Sequence, residues 1–437
     1  MLPHRLFVPW LAMVLLGGAC DAPRPPAPAP RAESVPEGPE DPPWAPDSVF
    51  RPETFRGDPV LPAVALKARE TIRARDANPF SYFGQAASID GDVAVVGAPY
   101  DDGEGTDAGA AYVFRRSGGR WLQAAKLTAP SPRPFDRFGF SVAVSGSTVV
   151  VGADRRDHTG AAFVYREAGT LEATLRPRDL AEKDGLGISV AADGDAVLVG
   201  APGKDAAYLF RRSVGRWREE AKLSDPSPSE HSGFGHSVAL SGDTALIGAI
   251  TSSDLEVMGG RAYLFRRGGS GWELEARLAP PEPRPLQKFG AAVALDGDFA
   301  LVGAPRAVLG DKTRAGAVYL FRRNGSGWET AAALTGSPPR NDEEFGRTVS
   351  LAGGRLIVGS QFGDAAGLNT GGAWLFDLEG DRWQSRGPVL APDASALDEF
   401  GSAVAMSDRW ILIGAPREAE AGNAAGAAYL YDLTGGE

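Results

Sequence analysis

Phe83-Gly84, an apolar run to Ile89, the turn Asp90-Gly91-Asp92, and Val93-Ala94-Val95-Val96-Gly97-Ala98-Pro99 begin the stretch that decides the fold. It continues through a polar loop to Gly109-Ala110-Ala111-Tyr112-Val113-Phe114 and closes on the Trp-led run 121–127. The Phe-Gly step returns at Phe138, Phe234, Phe289, Phe345 and Phe400, and Leu186-Gly187 stands in once, which makes seven copies. Successive steps lie 55, 48, 48, 55, 56 and 55 residues apart. A fixed period of this length indicates a solenoid, propeller or array.

Each copy holds four short runs, and an Asp-Gly between two apolar runs is a strong hairpin signal because Gly tolerates positive φ. In the third run aromatics sit two apart, as in Tyr112 and Phe114, Tyr208 and Phe210, or Tyr319 and Phe321. At a strand period of two they share one face, which suits sheets stacked face to face. Seven such units with no helical stretch between them predict an all-β, seven-bladed β-propeller of four-stranded antiparallel blades, because radial repetition leaves only short, protected edges. The last copy stops after its third run, at Tyr431. Residues 71–84 align without a gap on residues 126–139, so an N-terminal strand within 66–74 is expected to complete the last blade and close the ring.

The Phe-Gly steps, Val96-Gly97-Ala98-Pro99, Val302-Gly303-Ala304-Pro305 and the run 109–114 resemble the FG-GAP repeats of the integrin α-chain β-propeller and of similar bacterial proteins. The resemblance covers residues 83–431, with departures at Gly152-Ala153-Asp154, Gly248-Ala249-Ile250 and Gly359-Ser360-Gln361. Calcium loops of the family's Asp-x-Asp-x-Asp-Gly type are absent between the first and second strands. The resemblance implies a binding face, since in integrins the corresponding loops recognise ligand.

The chain begins with a short basic stretch, an apolar run over 6–16 and Gly17-Gly18-Ala19-Cys20. That run is too short to span a membrane and suits a signal peptide over 1–19. Cys20, the single cysteine, resembles a bacterial lipoprotein cleavage site and lipidation point; ordinary cleavage after Ala19 is the alternative, giving a soluble secreted or periplasmic protein. Without a second cysteine there is no internal disulfide, so stability rests on packing and ring closure. Residues 20–60, rich in Pro and acidic side chains, are expected to be a mobile tether before a propeller spanning 61–437. Arg56-Gly57-Asp58 within the tether is read as coincidence. The net charge of −11 argues against nucleic acid or an anionic membrane face as partner.

Function is expected where the loops differ, on the face carrying the connections between the second and third strands and from each fourth strand to the next blade. The two-to-three loop is long in five copies and short in the second and third. Its polar residues are the candidate ligand contacts: Asp101, Asp102, Glu104, Asp107, Asp154, Arg155, Asp157, His158, Asp254, Glu256, Asp311, Asp364, Asn369, Glu418 and Asn423. Asp101, Glu104 and Asp107 could supply oxygen ligands to calcium, although their spacing is not that of a twelve-residue calcium loop. No other cofactor is implied. Three histidines follow the leader, His158, His231 and His236, and no zinc, nucleophile-elbow, phosphate-loop or dinucleotide motif accompanies them. The expectation is a monomeric, non-catalytic ring that binds a protein or glycan and meets the membrane only through its lipid. A scaffold subunit of an envelope complex, or a propeller enzyme, are the alternatives.

Overall fold

The computed structural model describes residue 66 and residues 68–226, 231–253, 257–325 and 327–434. Cys20, the leader and the whole of the tether, together with Asp254 and Glu256, lie outside the described residues. The described strands form seven four-stranded antiparallel sheets. In blade 1 the strands run, from the inside out, Ala86–Asp90, Val93–Ala98, Ala110–Ser117 and Arg120–Leu127. Blades 2 to 6 repeat that order. Blade 7 takes its three inner strands from Ala403–Met406, Trp410–Ala415 and Ala427–Asp432, and its outer strand from Ala68–Ile72, with Thr71 opposite Tyr429.

The second strand of blade 1 reads Val-Ala-Val-Val-Gly-Ala and is buried at every position, because both of its faces are covered by neighbouring blades. The period of two then sorts its side chains. Ala94 and Val96 pack with blade 7 residues such as Leu412 and Leu430, while Val93 and Val95 pack with Val149 and Val151 of blade 2. The core therefore lies between blades. Each Phe of a Phe-Gly step sits in that junction: Phe289, wholly buried, meets the Tyr319 ring at 5.6 Å and the Phe321 ring at 6.2 Å, and packs with Leu246 and Leu264 of the preceding blade.

The glycines set the blade spacing. A Cβ on Gly303 would stand 2.0 Å from the carbonyl oxygen of Gly346, the glycine of the next Phe-Gly step. Gly346 itself holds φ +89°, a conformation L side chains rarely adopt. The two repeated glycines thus bring adjacent blades into backbone contact.

The innermost strands close the circle, since Ala86–Asp90 borders both Ser141–Ser145 and Ala403–Met406. At the hairpin end, the turns of blades 1 to 6 are tied each to the next. Asp90 accepts a hydrogen bond from Gly146 N at 2.6 Å, Ser145 from Gly194 N at 3.0 Å, Asp193 from Gly242 N at 2.6 Å and Asp296 from Gly353 N at 3.1 Å. The repeated Arg pairs are used there too: Arg116, Arg212, Arg267 and Arg323 each form an ion pair with the Asp that follows the glycine of their own blade's turn.

Candidate functional site

The opposite end of the ring carries the long loops and the mouth of the central channel. Before each Phe-Gly or Leu-Gly step the chain makes one turn, repeated seven times. The residue three places before the aromatic, from Phe80 to Leu397, and the residue immediately before it, from Tyr82 to Glu399, both hold positive φ. The polar residue between them, Asp136 or Glu343 for example, is buried. Its side chain caps the turn: Asp136 accepts from Arg133 N at 2.9 Å, Asp184 from Ala181 N at 2.6 Å and Asp398 from Ser395 N at 2.7 Å.

The long loops lean on the following blade's turn. Phe135 N and Phe138 N donate to the carbonyls of Thr106 and Ala108, and the same ladder recurs with Phe80 on Asn423 and Phe345 on Ala315. Five long loops share this backbone, with positive φ two residues before their closing glycine at Asp107, Met258, Arg314, Asn369 and Ala424. Loop length was expected to mark ligand binding; the long loops also clamp one blade to the next, and the short loop of blade 2 makes the same pair of bonds, Lys183 N to the His158 carbonyl and Leu186 N to the Thr159 carbonyl. In blades 2 and 3 the connection shortens to the 3-10 turns Arg156–His158 and Pro202–Lys204.

The candidate contacts divide by where this clamp turns them. Asp101 is 1% exposed and accepts from Tyr112 Oη at 2.9 Å, Gly103 N at 3.0 Å and Lys126 Nζ at 3.2 Å. Asp154 is buried against Arg137, and Glu418 is buried with Arg73 Nε at 3.2 Å. These three carboxylates hold the fold and do not face solvent. Asp157 pairs with Arg133 and Arg176. Asp102 and Asp364 cap their own loops through Asp107 N and Asn369 N, each at 2.7 Å. Glu104, Arg155, His158, Asp311 and Asn423 remain exposed at the loop tips, with Asp311 bonded to its neighbour Lys312. Asp101, Glu104 and Asp107 are not brought together, since Asp101 turns inward to Tyr112 and Lys126; among the described residues no group of three or more His, Cys, Asp or Glu could hold a metal ion.

Two features of this face were not legible as sites. The first is apolar. Of twelve exposed large hydrophobic residues among those described, eight lie here: Phe80, Phe135, Leu286 and Leu397 on the turns, and Val257, Met258, Val308 and Leu368 on the loops. Leu286 N bonds Val257 O and Leu397 N bonds Leu368 O, so turn and loop residues are neighbours. The second is the channel mouth, a cavity of about 430 Å³ lined by the start of the inner strand of every blade. On one arc it gathers His236, Lys288, Arg306, Glu344 and Arg347. Burial, with the charges of Lys288 and Arg347, lowers the His236 pKa to about 4. The sequence signal was the residue after each Phe-Gly, which varies from Gln85 and Phe140 to His236 and Arg347 while its neighbours repeat.

Seven segments, residues 68–114, 121–165, 170–210, 217–265, 272–321, 328–376 and 383–431, match the FG-GAP repeat family. The chain belongs to the FG-GAP repeat family. Each matched FG-GAP segment starts on the outer strand of one blade and ends on the third strand of the next, so the first segment carries the strand that blade 7 takes from the N-terminal side. No curated protein matches the chain in sequence. Among solved structures it is similar to selenomethionine-substituted virginiamycin B lyase from Staphylococcus aureus, at 10% identity and a TM-score of 0.51, covering 83% of this chain and 98% of that one. At that identity the likeness shows the fold alone.

Proposed function

We propose that this FG-GAP propeller is an exported binding protein, anchored at Cys20, that takes a protein or glycan ligand on its long-loop face without catalysing a reaction. The apolar residues concentrated on that face carry the reading. Exposed apolar surface among polar groups is characteristic of interaction surfaces, and here Phe80, Phe135, Leu286 and Leu397 share one end of the ring with the exposed Glu104, Arg155 and Asn423. The apolar run followed by Gly-Ala-Cys supports export and lipidation. The net charge of −11 favours a partner other than nucleic acid.

Because the long loops clamp adjacent blades, trimming them would confound binding with stability; point changes at the tips avoid this. The full chain with Phe80, Phe135, Leu286 and Leu397 all changed to Ser is compared with a control changed at Leu122, Leu171, Val214 and Leu274, exposed elsewhere. Both are used to capture ligands from envelope protein and glycan fractions. A ligand held by the control and lost by the loop-face variant is expected; equal retention would refute the face assignment. Cys20→Ser should move the protein from the membrane fraction to the soluble one, and unchanged fractionation would refute the anchor.

A further inference from the structure

The channel mouth carries a local excess of positive charge in a chain that is acidic as a whole. Lys288, Arg306 and Arg347 line it, and among the described residues lining it Glu344 is the one carboxylate. Glu344 is already committed. Its Oε1 accepts from Arg314 Nη2 at 2.5 Å and lies 3.5 Å from Arg306 Nε, and its Oε2 accepts from Arg347 Nη1 at 3.2 Å. Its side chain is only 2% exposed, so it cannot swing out to serve Lys288. The Lys288 ammonium has no hydrogen-bond or ion-pair partner among the described residues. Burial, then Arg306, Arg347 and Arg314, hold its ammonium below the ordinary lysine pKa although Glu344 pulls the other way. Arg347 keeps donors beyond those given to Glu344 and to Gln361 Oε1 at 2.9 Å, since a guanidinium offers five.

The cations occupy one arc only. Across the mouth stand Gln85, Phe140 and Ile188. Two residues further along each inner strand, every blade contributes one small apolar side chain to the lining, Ala87 in blade 1 and valines from Val142 to Val404 in the other six. A ligand entering here meets guanidinium and ammonium groups at the rim on one side and an apolar throat below. Cavities of this size, apolar with a few convergent polar groups, suit small molecules.

We propose that the channel mouth binds a small organic carboxylate with an apolar body, its carboxylate on Lys288, Arg306 and Arg347 and its apolar part in the ring of valines. The site is distinct from the loop tips, so it stands or falls independently of the macromolecular ligand proposed above. Octanoate is the probe, with octanol and inorganic phosphate as the two halves of its chemistry, titrated into the full chain by calorimetry. Octanoate is expected to bind, and both halves to bind far more weakly. Lys288→Met, which removes no described contact, and Arg347→Gln should each weaken octanoate by about tenfold or more, the usual worth of a charge-assisted hydrogen bond. Circular dichroism and melting temperature establish that each variant is folded. No octanoate binding by the folded wild type, equal affinity in Lys288→Met, or phosphate or octanol binding as tightly as octanoate would each overturn the assignment. A loop-face variant that has lost its macromolecular ligand but retains octanoate would separate the two sites.

Discussion

Glu343→Gln should stabilise the ring at alkaline pH and do so less as pH falls. Glu343 is the buried polar residue of the turn before Phe345; its Oε2 accepts from Arg340 N at 3.1 Å. Burial pushes its carboxyl up from the ordinary 4.5 to about 7, against the pull of Arg340 and with a small push from Asp364. Between those two values the native state holds a proton that the unfolded chain has released, so stability falls as pH rises through that window. A shift of this size corresponds to about 3 kcal/mol in full, of which about 2 kcal/mol develops between pH 5.5 and 8. Gln keeps an acceptor for Arg340 N and removes the charge. His236 works in the opposite sense: its lowered pKa contributes stability present above its ordinary 6.5 and lost as pH falls toward 4. The wild-type profile alone is therefore flattened, and the measurement is the difference between variant and wild type. Urea unfolding at pH 5.5 and pH 8 should show that difference changing by about 2 kcal/mol in favour of Gln at pH 8. A pH-independent difference, or one that turns against Gln at pH 8, would refute a neutral, desolvated carboxyl at this position.

Phe289→Ala should cost about 3–5 kcal/mol, the range for emptying a buried aromatic site; urea unfolding reads it, and a loss under 1 kcal/mol would mean the blade junction collapses around the gap. Gly303→Ala should cost on the order of 3 kcal/mol by overpacking against Gly346 O, whereas Gly91→Ala, with nothing within 4 Å of the new Cβ, should cost only ~1 kcal/mol for its positive φ; similar melting temperatures for the two would remove the close-approach argument. Deleting residues 1–74 strips the outer strand from blade 7 and bares the edge at Ala427–Asp432, so light scattering should show association through that edge; a monomer as stable as the parent would show the strand to be dispensable.

The blade count, the four strands of each blade and the junction role of Phe-Gly were legible in the sequence because they depend on local rules repeated seven times. Hairpin turns need glycine, strands alternate at a period of two, and a fixed spacing allows nothing but a repeated unit. The destinations of individual polar side chains were not legible in that way. Asp101 and Glu104 stand three residues apart in the same loop, yet one is buried against Tyr112 and the other faces solvent, because the loop folds onto the next blade's turn.

The channel mouth shows the division most clearly. His236, Lys288, Arg306 and Arg347 are spread over more than a hundred residues and belong to no motif. Each is unremarkable where it stands in the chain. Composition and spacing set which residues each blade offers, but only closure of the ring brings those from three blades to one cavity. There their charges act on one another, through burial and short distances that a linear pattern does not encode.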